Sequence, residues 1–241
     1  MPDLAGRYFD VVRRLLEKAE RTQAEAIERA GQIVAGTIAG GGTLYTFGTG
    51  HSHMLAEEPY VRAGGLTRVE AILVPRLMLH EDPAEATELE RQAEEAARIL
   101  EEYGLEKGDT LLVISNSGRN AVPVEMALRA REQSIPVLAL TSLRHSRSVS
   151  SRHSSGLRLF EVADVVLDNG GVPGDAALEV EGLPVRIGPT STVVGAALVN
   201  AVVATAVEQL LEEGLTPRVF ISSNVDQPEG TSLLQTSPGK V

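Results

Sequence analysis

The stretch Thr110-Leu111-Leu112-Val113-Ile114-Ser115-Asn116-Ser117-Gly118-Arg119-Asn120 decides the reading of this chain. Thr110–Ile114 is a short aliphatic run, the pattern of a strand buried on both faces. Ser115–Gly118 replaces it with hydroxyls, an amide and a glycine. Residues 120–133 then read as a helix with Pro123 in its first turn, where proline is tolerated. Strand, polar turn and helix in that order put free backbone N–H groups and a positive helix end at the carboxyl edge of a sheet. Ser115, Ser117 and Asn120 add side-chain donors, with Asn116 and Gly118 completing the turn. A phosphate monoester suits such a place, and parallel strands present ligands at their carboxyl ends. An ordinary βα turn with a capped helix is the plain alternative.

Working outward, the same grammar repeats. Leu44–Phe47 reads as a strand and ends in Gly48-Thr49-Gly50-His51-Ser52-His53. This turn lacks the lysine and spacing of a P-loop. It also fails G-x-G-x-x-G, because position 53 is His, so neither a P-loop nucleotidase nor a dinucleotide fold is supported. Two glycine- and hydroxyl-rich turns after two parallel strands suit one small phosphorylated ligand lying between them. Further strands are expected at Val69–Val74, Pro136–Leu140, Val165–Asp168 and Arg218–Ser222. Helices are expected over Ser52–Ala63, Glu85–Tyr103, Leu157–Val162 and Thr190–Leu211. Residues 1–39 carry apolar positions at three- and four-residue spacing and form a helical segment packed on the domain. Thr141–Gly156, rich in Ser, Arg and His, reads as a loop, and Ala177–Ile187 as a small hairpin. The alternation predicts an α/β fold, a three-layer αβα sandwich on a parallel sheet, with a long N-terminal helix. The domain proper spans 40–222, and 223–241 is a fraying tail.

Composition narrows the function. The chain has 241 residues, no cysteine, and a formal net charge of −11. A disulfide framework, a thiolate nucleophile and a Cys-ligated zinc are excluded. The acidic field opposes nucleic acid, and with aromatics at 3% and no Trp, base stacking is not expected. No run of 18 apolar residues free of charge or glycine is present, so no membrane partner is expected, and the amino end carries charges where a signal peptide would be apolar. A cytoplasmic protein is the expectation.

Acid–base groups cluster early. His51, His53, Glu57, Glu58, His80 and Glu81 fall within one short window. On a helix His53 and Glu57 share a face. Histidines and carboxylates beside a bound sugar are what enolisation needs: a base for a carbon proton and an acid for an oxygen. Taken singly, Glu57 and Glu58 also fit a solvated helix face. His51, His53 and His80 could ligate a metal, but His-x-His after a glycine turn is a weak pattern, and neither a metal nor another cofactor is expected. Thr190, Ser191 and Thr192 open the long apolar helix and either cap it or face the ligand. Arg152 and His153, in the basic loop, are candidates for a lid that pairs with phosphate.

With these residues in view, the chain resembles the sugar isomerase (SIS) domain over roughly residues 35–215. "GTGHSHMLAEEPYVRAGG", "ISNSGRNAVPVEMA" and "GPTSTVVGAALVNA" look like a bacterial branch of stand-alone SIS proteins described as phosphosugar-binding or phosphoheptose isomerase-like, related also to the N-acetylmuramic acid 6-phosphate etherases. The resemblance implies a five-stranded parallel sheet, a homodimer or homotetramer with sites near the subunit interface, and a phosphate grip by Ser115, Ser117 and Gly118. Asn120 stands where the family has Thr, and Ser52 matches the serine of the first loop. Val61-Arg62-Ala63 occupies the zone of the phosphoheptose isomerases' catalytic glutamate, so that match fails, and Glu57 or Glu58 would have to substitute. Gly50, His51 and Asn116 complete the expected ligand contacts.

The leading expectation is therefore an enzyme that abstracts a proton next to the carbonyl of an amino-sugar or sugar phosphate, of the aldose–ketose isomerase type. The base would come from Glu57, Glu58, His53 or Glu81, with His80 in the same cluster. β-Elimination, as in a dehydratase or etherase, shares the first step. A non-catalytic sugar-phosphate sensor is the alternative from another class.

Overall fold

The computed structural model describes residues 3–222 and Asn224. The tail expected to fray therefore lies, apart from Asn224, outside the described residues. The chain opens with one 36-residue helix, α1 (Leu4–Ala39), started by Asp3, whose carboxylate accepts from Gly6 N. Five strands follow: β1 (Leu44–Gly48), β2 (Val69–Ile72), β3 (Thr110–Ile114), β4 (Val137–Thr141) and β5 (Val165–Asp168). They form one sheet in the order β2-β1-β3-β4-β5, every pair parallel. The helices are α2 (His53–Glu57), α3 (Pro83–Leu89), α4 (Glu94–Tyr103), α5 (Ala121–Glu132), α6 (Leu143–Arg147), α7 (Leu159–Val162) and α8 (Ser191–Glu212). A two-stranded antiparallel hairpin, β6 (Ala176–Leu178) and β7 (Ile187–Pro189), precedes α8.

The three layers follow from the period-two alternation of strand side chains. Leu44, Leu112, Ile114, Leu138, Leu140 and Leu167 point to one face, where they meet α1, α8 and α2. Phe47, Leu111, Val113, Val137 and Ala139 point to the other, against α4, α5 and α7. Burial on both faces is why β3 and β4 read as unbroken apolar runs. α1 lies along α8 and is tied to the sheet by Thr37 Oγ1 and Thr110 Oγ1, 2.6 Å apart, and by Gln23 Oε1, which accepts from Asp168 N at 2.8 Å. α8 is apolar and, by length and composition alone, long enough to cross a membrane. Here it is a core helix that shares one sheet face with α1, and Val194, Leu198, Val202, Ala206 and Leu210 are buried.

Several boundaries differ from those expected. The helix over Ser52–Ala63 shrinks to the five residues of α2, because Pro59 has no N–H to continue the ladder. Glu85–Tyr103 divides into α3 and α4 at Glu90–Ala93, where Glu90 turns toward the site (below). The basic segment is not all loop: Ser142 Oγ accepts from His145 N at 3.1 Å and starts α6. Arg218–Ser222 joins no sheet and makes a single antiparallel bridge, Val219 to Leu66.

Candidate functional site

The strand order sets the place. The chain leaves β1 toward β2 and returns to β3 on β1's other side, so β1/β3 is the point where connections diverge and a crevice opens at the carboxyl edge. The two polar turns flank that point. Between them lies a cavity of about 130 Å³, lined by His51, Ser52, Asn116, Asn169, Asp175, Ser191 and Thr192 over a floor of Leu55, Ile114 and Leu140. A larger depression of about 550 Å³ is made by consecutive residues of one loop, Glu179–Arg186, and joins no elements.

The β3 turn is braced on all sides. Ser115 Oγ accepts from Gly118 N at 3.2 Å. Gly118 has φ +58°, a backbone shape that disfavours a side chain, and a Cβ there would lie 3.0 Å from Ser146 Oγ. Its carbonyl accepts from Leu159 N at 2.8 Å. Asn116 O accepts from Ser142 N at 3.1 Å, and Asn116 Oδ1 from Asn169 Nδ2 at 2.9 Å. Asn120, at the start of α5, spends its Oδ1 on Arg152 Nη1 at 2.8 Å and not on capping its own helix. The backbone N–H groups of Ser117, Arg119 and Asn120 donate to no protein acceptor among the described residues.

Around this turn the charge is locally positive. Arg152 is held below the usual arginine range by burial and then by the nearby guanidiniums of Arg119 and Arg91, with Glu90 partly opposing. Arg119 Nε is buried without a protein partner. Crowded arginines with little compensation, on a chain of net charge −11, are what an anion site requires.

The β1 turn is looser. Gly50 begins a 3₁₀ turn, and His51 stands exposed with Ser52 and His53 half-buried. Thr49 Oγ1 donates to Glu90 Oε2 at 2.8 Å, and Glu90 O accepts from Val122 N, so Glu90 ties this turn to the start of α5. His53 Nδ1 bonds Gly50 O, and its ring stands edge-on to His80, centroids 5.8 Å apart.

The expected acid–base residues scatter. Glu57 is exposed. Glu58 is paired with Arg62 and accepts from Asn200 Nδ2 of α8 at 2.8 Å. His80 and Glu81 are 61% and 58% exposed and 3.7 Å apart. None of these, nor His53, lines the cavity, whereas His51 does. Of the expected donors on α8, Thr190 N and Ser191 N are already spent on Asp175 Oδ1, at 3.0 and 2.8 Å. Of the lid candidates, Arg152 reaches the turn. His153 is buried with Nε2 2.8 Å from Glu125 Oε2, so it is committed to α5. No cluster of three or more His, Cys, Asp or Glu suited to a metal occurs among the described residues.

Three site residues were missed by sequence reasoning. Asn169 belongs to Asp168-Asn169-Gly170-Gly171, a third polar glycine turn after β5 that could have been read as such. Asp175 and Arg119 had no spacing signal, because their partners are distant in sequence. His145 lies near both. Its imidazole is pushed below the ordinary 6.5 by burial, with Asp175 opposing and Arg119 reinforcing that shift, and its Nδ1 is buried without a protein partner.

A parallel sheet with two hydroxyl-bearing turns at its switch point, one braced and one looser, is the architecture of a ligand-binding α/β domain. The family model described as the SIS domain matches residues 7–142, and the chain belongs to the SIS-domain family. UPF0309 protein BH3325 of Halalkalibacterium halodurans is 45% identical over 219 residues, covering 91% of this chain and 90% of its own. Among solved structures, a phosphoheptose isomerase from Francisella tularensis aligns with TM-score 0.56 and 17% identity over 83% of this chain and 94% of that one. The Vibrio vulnificus NanR protein, complexed with ManNAc-6P, aligns with TM-score 0.53 and 20% identity over 89% and 66%. At these identities the two structures establish likeness of fold.

Proposed function

We propose that this protein binds a sugar phosphate, with or without an amino substituent, and acts on it as an aldose–ketose isomerase. The observation that carries the reading is the 130 Å³ cavity held between two polar turns at the β1/β3 switch point, with Asn116 of the β3 turn in its lining and the arginines gathered around that same turn. The phosphate sits on the amides and hydroxyls of Ser115–Asn120, backed by Arg119 and Arg152, with Ser52 reaching from the β1 turn. The sugar carbons enter the cavity. A base removes the proton beside the carbonyl, an enediol forms, and the proton returns to the neighbouring carbon while another passes between the two oxygens. We assign that transfer to His51, the imidazole in the cavity lining, with His53 and Glu57 following it in the chain on α2. The step moves protons only and needs no redox cofactor. Support comes from the SIS family itself and from two fold relatives, one a phosphoheptose isomerase and one holding ManNAc-6P. The working form we assign is a cytoplasmic homodimer or homotetramer.

Binding without turnover is the second reading. It is favoured by one observation: Glu57, Glu58, His80 and Glu81 all lie outside the cavity lining.

Proton NMR in D₂O separates the two. The panel is glucosamine 6-phosphate, N-acetylglucosamine 6-phosphate, fructose 6-phosphate, sedoheptulose 7-phosphate and N-acetylmuramic acid 6-phosphate. Deuterium beside the carbonyl of one compound, with its ketose or aldose partner appearing, is expected. Line broadening without exchange selects passive binding, and no broadening with any compound overturns the sugar-phosphate reading.

A further inference from the structure

The cavity has one carboxylate in its lining and no lysine or arginine. That carboxylate is Asp175, and it is fixed. Its backbone sits at φ +68°. Oδ1 accepts from Thr190 N at 3.0 Å, from Ser191 N at 2.8 Å and weakly from Thr190 Oγ1 at 3.4 Å, while Oδ2 accepts from Ser191 Oγ. Thr190, the residue in the cap position of α8, makes no capping bond of its own, so Asp175 fills that role from fifteen residues upstream. Two consequences follow. The positive start of α8 is already matched by a negative charge, so it does not draw an anionic group of a ligand. Oδ2, with one hydroxyl partner, keeps acceptor capacity toward the cavity.

No basic side chain neutralises Asp175. Among the described residues it forms no ion pair with Lys or Arg. His145 is close enough to feel it, yet burial and Arg119 together hold that imidazole toward its neutral form. The arginines gather instead at the β3 turn, where Arg152 holds Asn120 and stands beside Arg119 and Arg91. The remaining polar lining, the Asn116–Asn169 pair and the hydroxyls of Ser52, Ser191 and Thr192, suits hydroxyl and amide groups.

We propose that Asp175 sets the specificity of the site: the end of the ligand away from its phosphate must be uncharged or cationic, a hydroxyl or an ammonium, and a second acidic group there is rejected. The proposal rests on the sugar-phosphate reading of the same site. It narrows that reading to phosphosugars bearing one acidic head. It also sets the site against acid-bearing ethers, the substrates that the etherase form of the elimination route would need.

Titration calorimetry on the full chain tests it with glucose 6-phosphate, glucosamine 6-phosphate and 6-phosphogluconate, which carries a carboxylate at the far end. The first two are expected to bind at least about tenfold more tightly than the third, the ratio that a difference of about 1.4 kcal/mol gives. In Asp175→Asn, and in Asp175→Ser, which keeps an oxygen for the start of α8, the gap is expected to fall below about threefold. Equal affinities in the wild type overturn the proposal. So does a gap that persists in either variant once circular dichroism shows it folded, since size would then explain the discrimination. If neither variant folds, the wild-type gap must narrow by at least about half as salt rises from 0.05 to 0.5 M, as screening of a charge repulsion demands, and a salt-independent gap overturns the proposal. Binding of none of the three probes defeats the sugar-phosphate reading itself, and the proposal with it.

Discussion

The β1 and β3 turns occupy the same topological place and are built to different standards. After β3, Ser115, Gly118 and Asn120 are buried and braced by four other segments: Ser142, Asn169, Arg152 and Leu159. After β1, His51 is exposed, the helix that follows has five residues, and among the described residues one side chain, Glu90, hydrogen-bonds the turn to the start of α5. The difference teaches a division of labour. A rigid turn with its amides fixed in advance grips an anion at low entropic cost. A looser turn carrying imidazoles can follow a substrate whose geometry changes during proton transfer.

The glycines of the two turns give the sharpest break of that comparison. Gly118→Val adds a branched side chain at φ +58° with Ser146 Oγ 3.0 Å from the new Cβ. It is expected to cost about 2 kcal/mol of stability or more and to weaken phosphosugar binding by more than about a hundredfold. Gly50→Ala shares the positive φ, but its Cβ meets Leu79 at no less than 3.8 Å, so about 1 kcal/mol and less than a tenfold change in binding are expected. Urea melts and calorimetry read both. Equal damage at the two positions would erase the distinction between the turns.

Chemistry should divide the same way. His51→Gln is expected to slow deuterium exchange by about a hundredfold while leaving ligand affinity within about threefold. If Glu57→Gln or Glu58→Gln shows that loss and His51→Gln does not, the base lies on α2. Arg152→Ala should instead weaken binding by about tenfold, the worth of a charge-assisted contact near the phosphate, with the exchange rate at saturation little changed. Ser52→Ala, on the looser turn, should weaken it by less.

The smallest effect is on stability against pH. His145 is held below its ordinary 6.5 by burial, Arg119 adding to that and Asp175 opposing it. The folded state therefore binds this proton less readily than the unfolded chain. Its contribution to stability is fully present above about pH 6.5 and is lost as pH falls through the folded-state value. His145→Gln should flatten the acid side of the stability profile, measured by urea melts between pH 7.5 and 5. An unchanged slope would show that His145 is not the group responsible.

Much of the fold was legible because its signals are local. Thr110–Ile114 and Val137–Thr141 are aliphatic runs that only a doubly covered strand explains, and the β3 turn announced itself through Ser115, Ser117 and Gly118. The helix breaks were harder. Glu85–Tyr103 has continuous helical composition, and the interruption comes from Glu90, whose carboxylate and carbonyl bond Thr49 and Val122 far away in sequence. The site divided along the same line. Ser52, Ser115, Ser117 and Asn120 on the two turns were read from pattern, and Arg119 between them was not. Nor was Asp175, because it meets the start of α8 across fifteen residues, whereas Asn169 was passed over although its Asn-Gly-Gly turn is a local signal. The acidic cluster scatters for a physical reason: Glu58 is paired with Arg62 and Asn200, a pairing invisible in sequence.

The most direct test of the account follows backbone amides of ¹⁵N-labelled protein while glucosamine 6-phosphate is added. The account predicts the largest shifts at Ser117–Asn120, smaller ones at His51 and Ser52, and none in the Glu179–Arg186 loop. Saturating shifts confined to other surfaces, or no shifts at millimolar ligand, would contradict it.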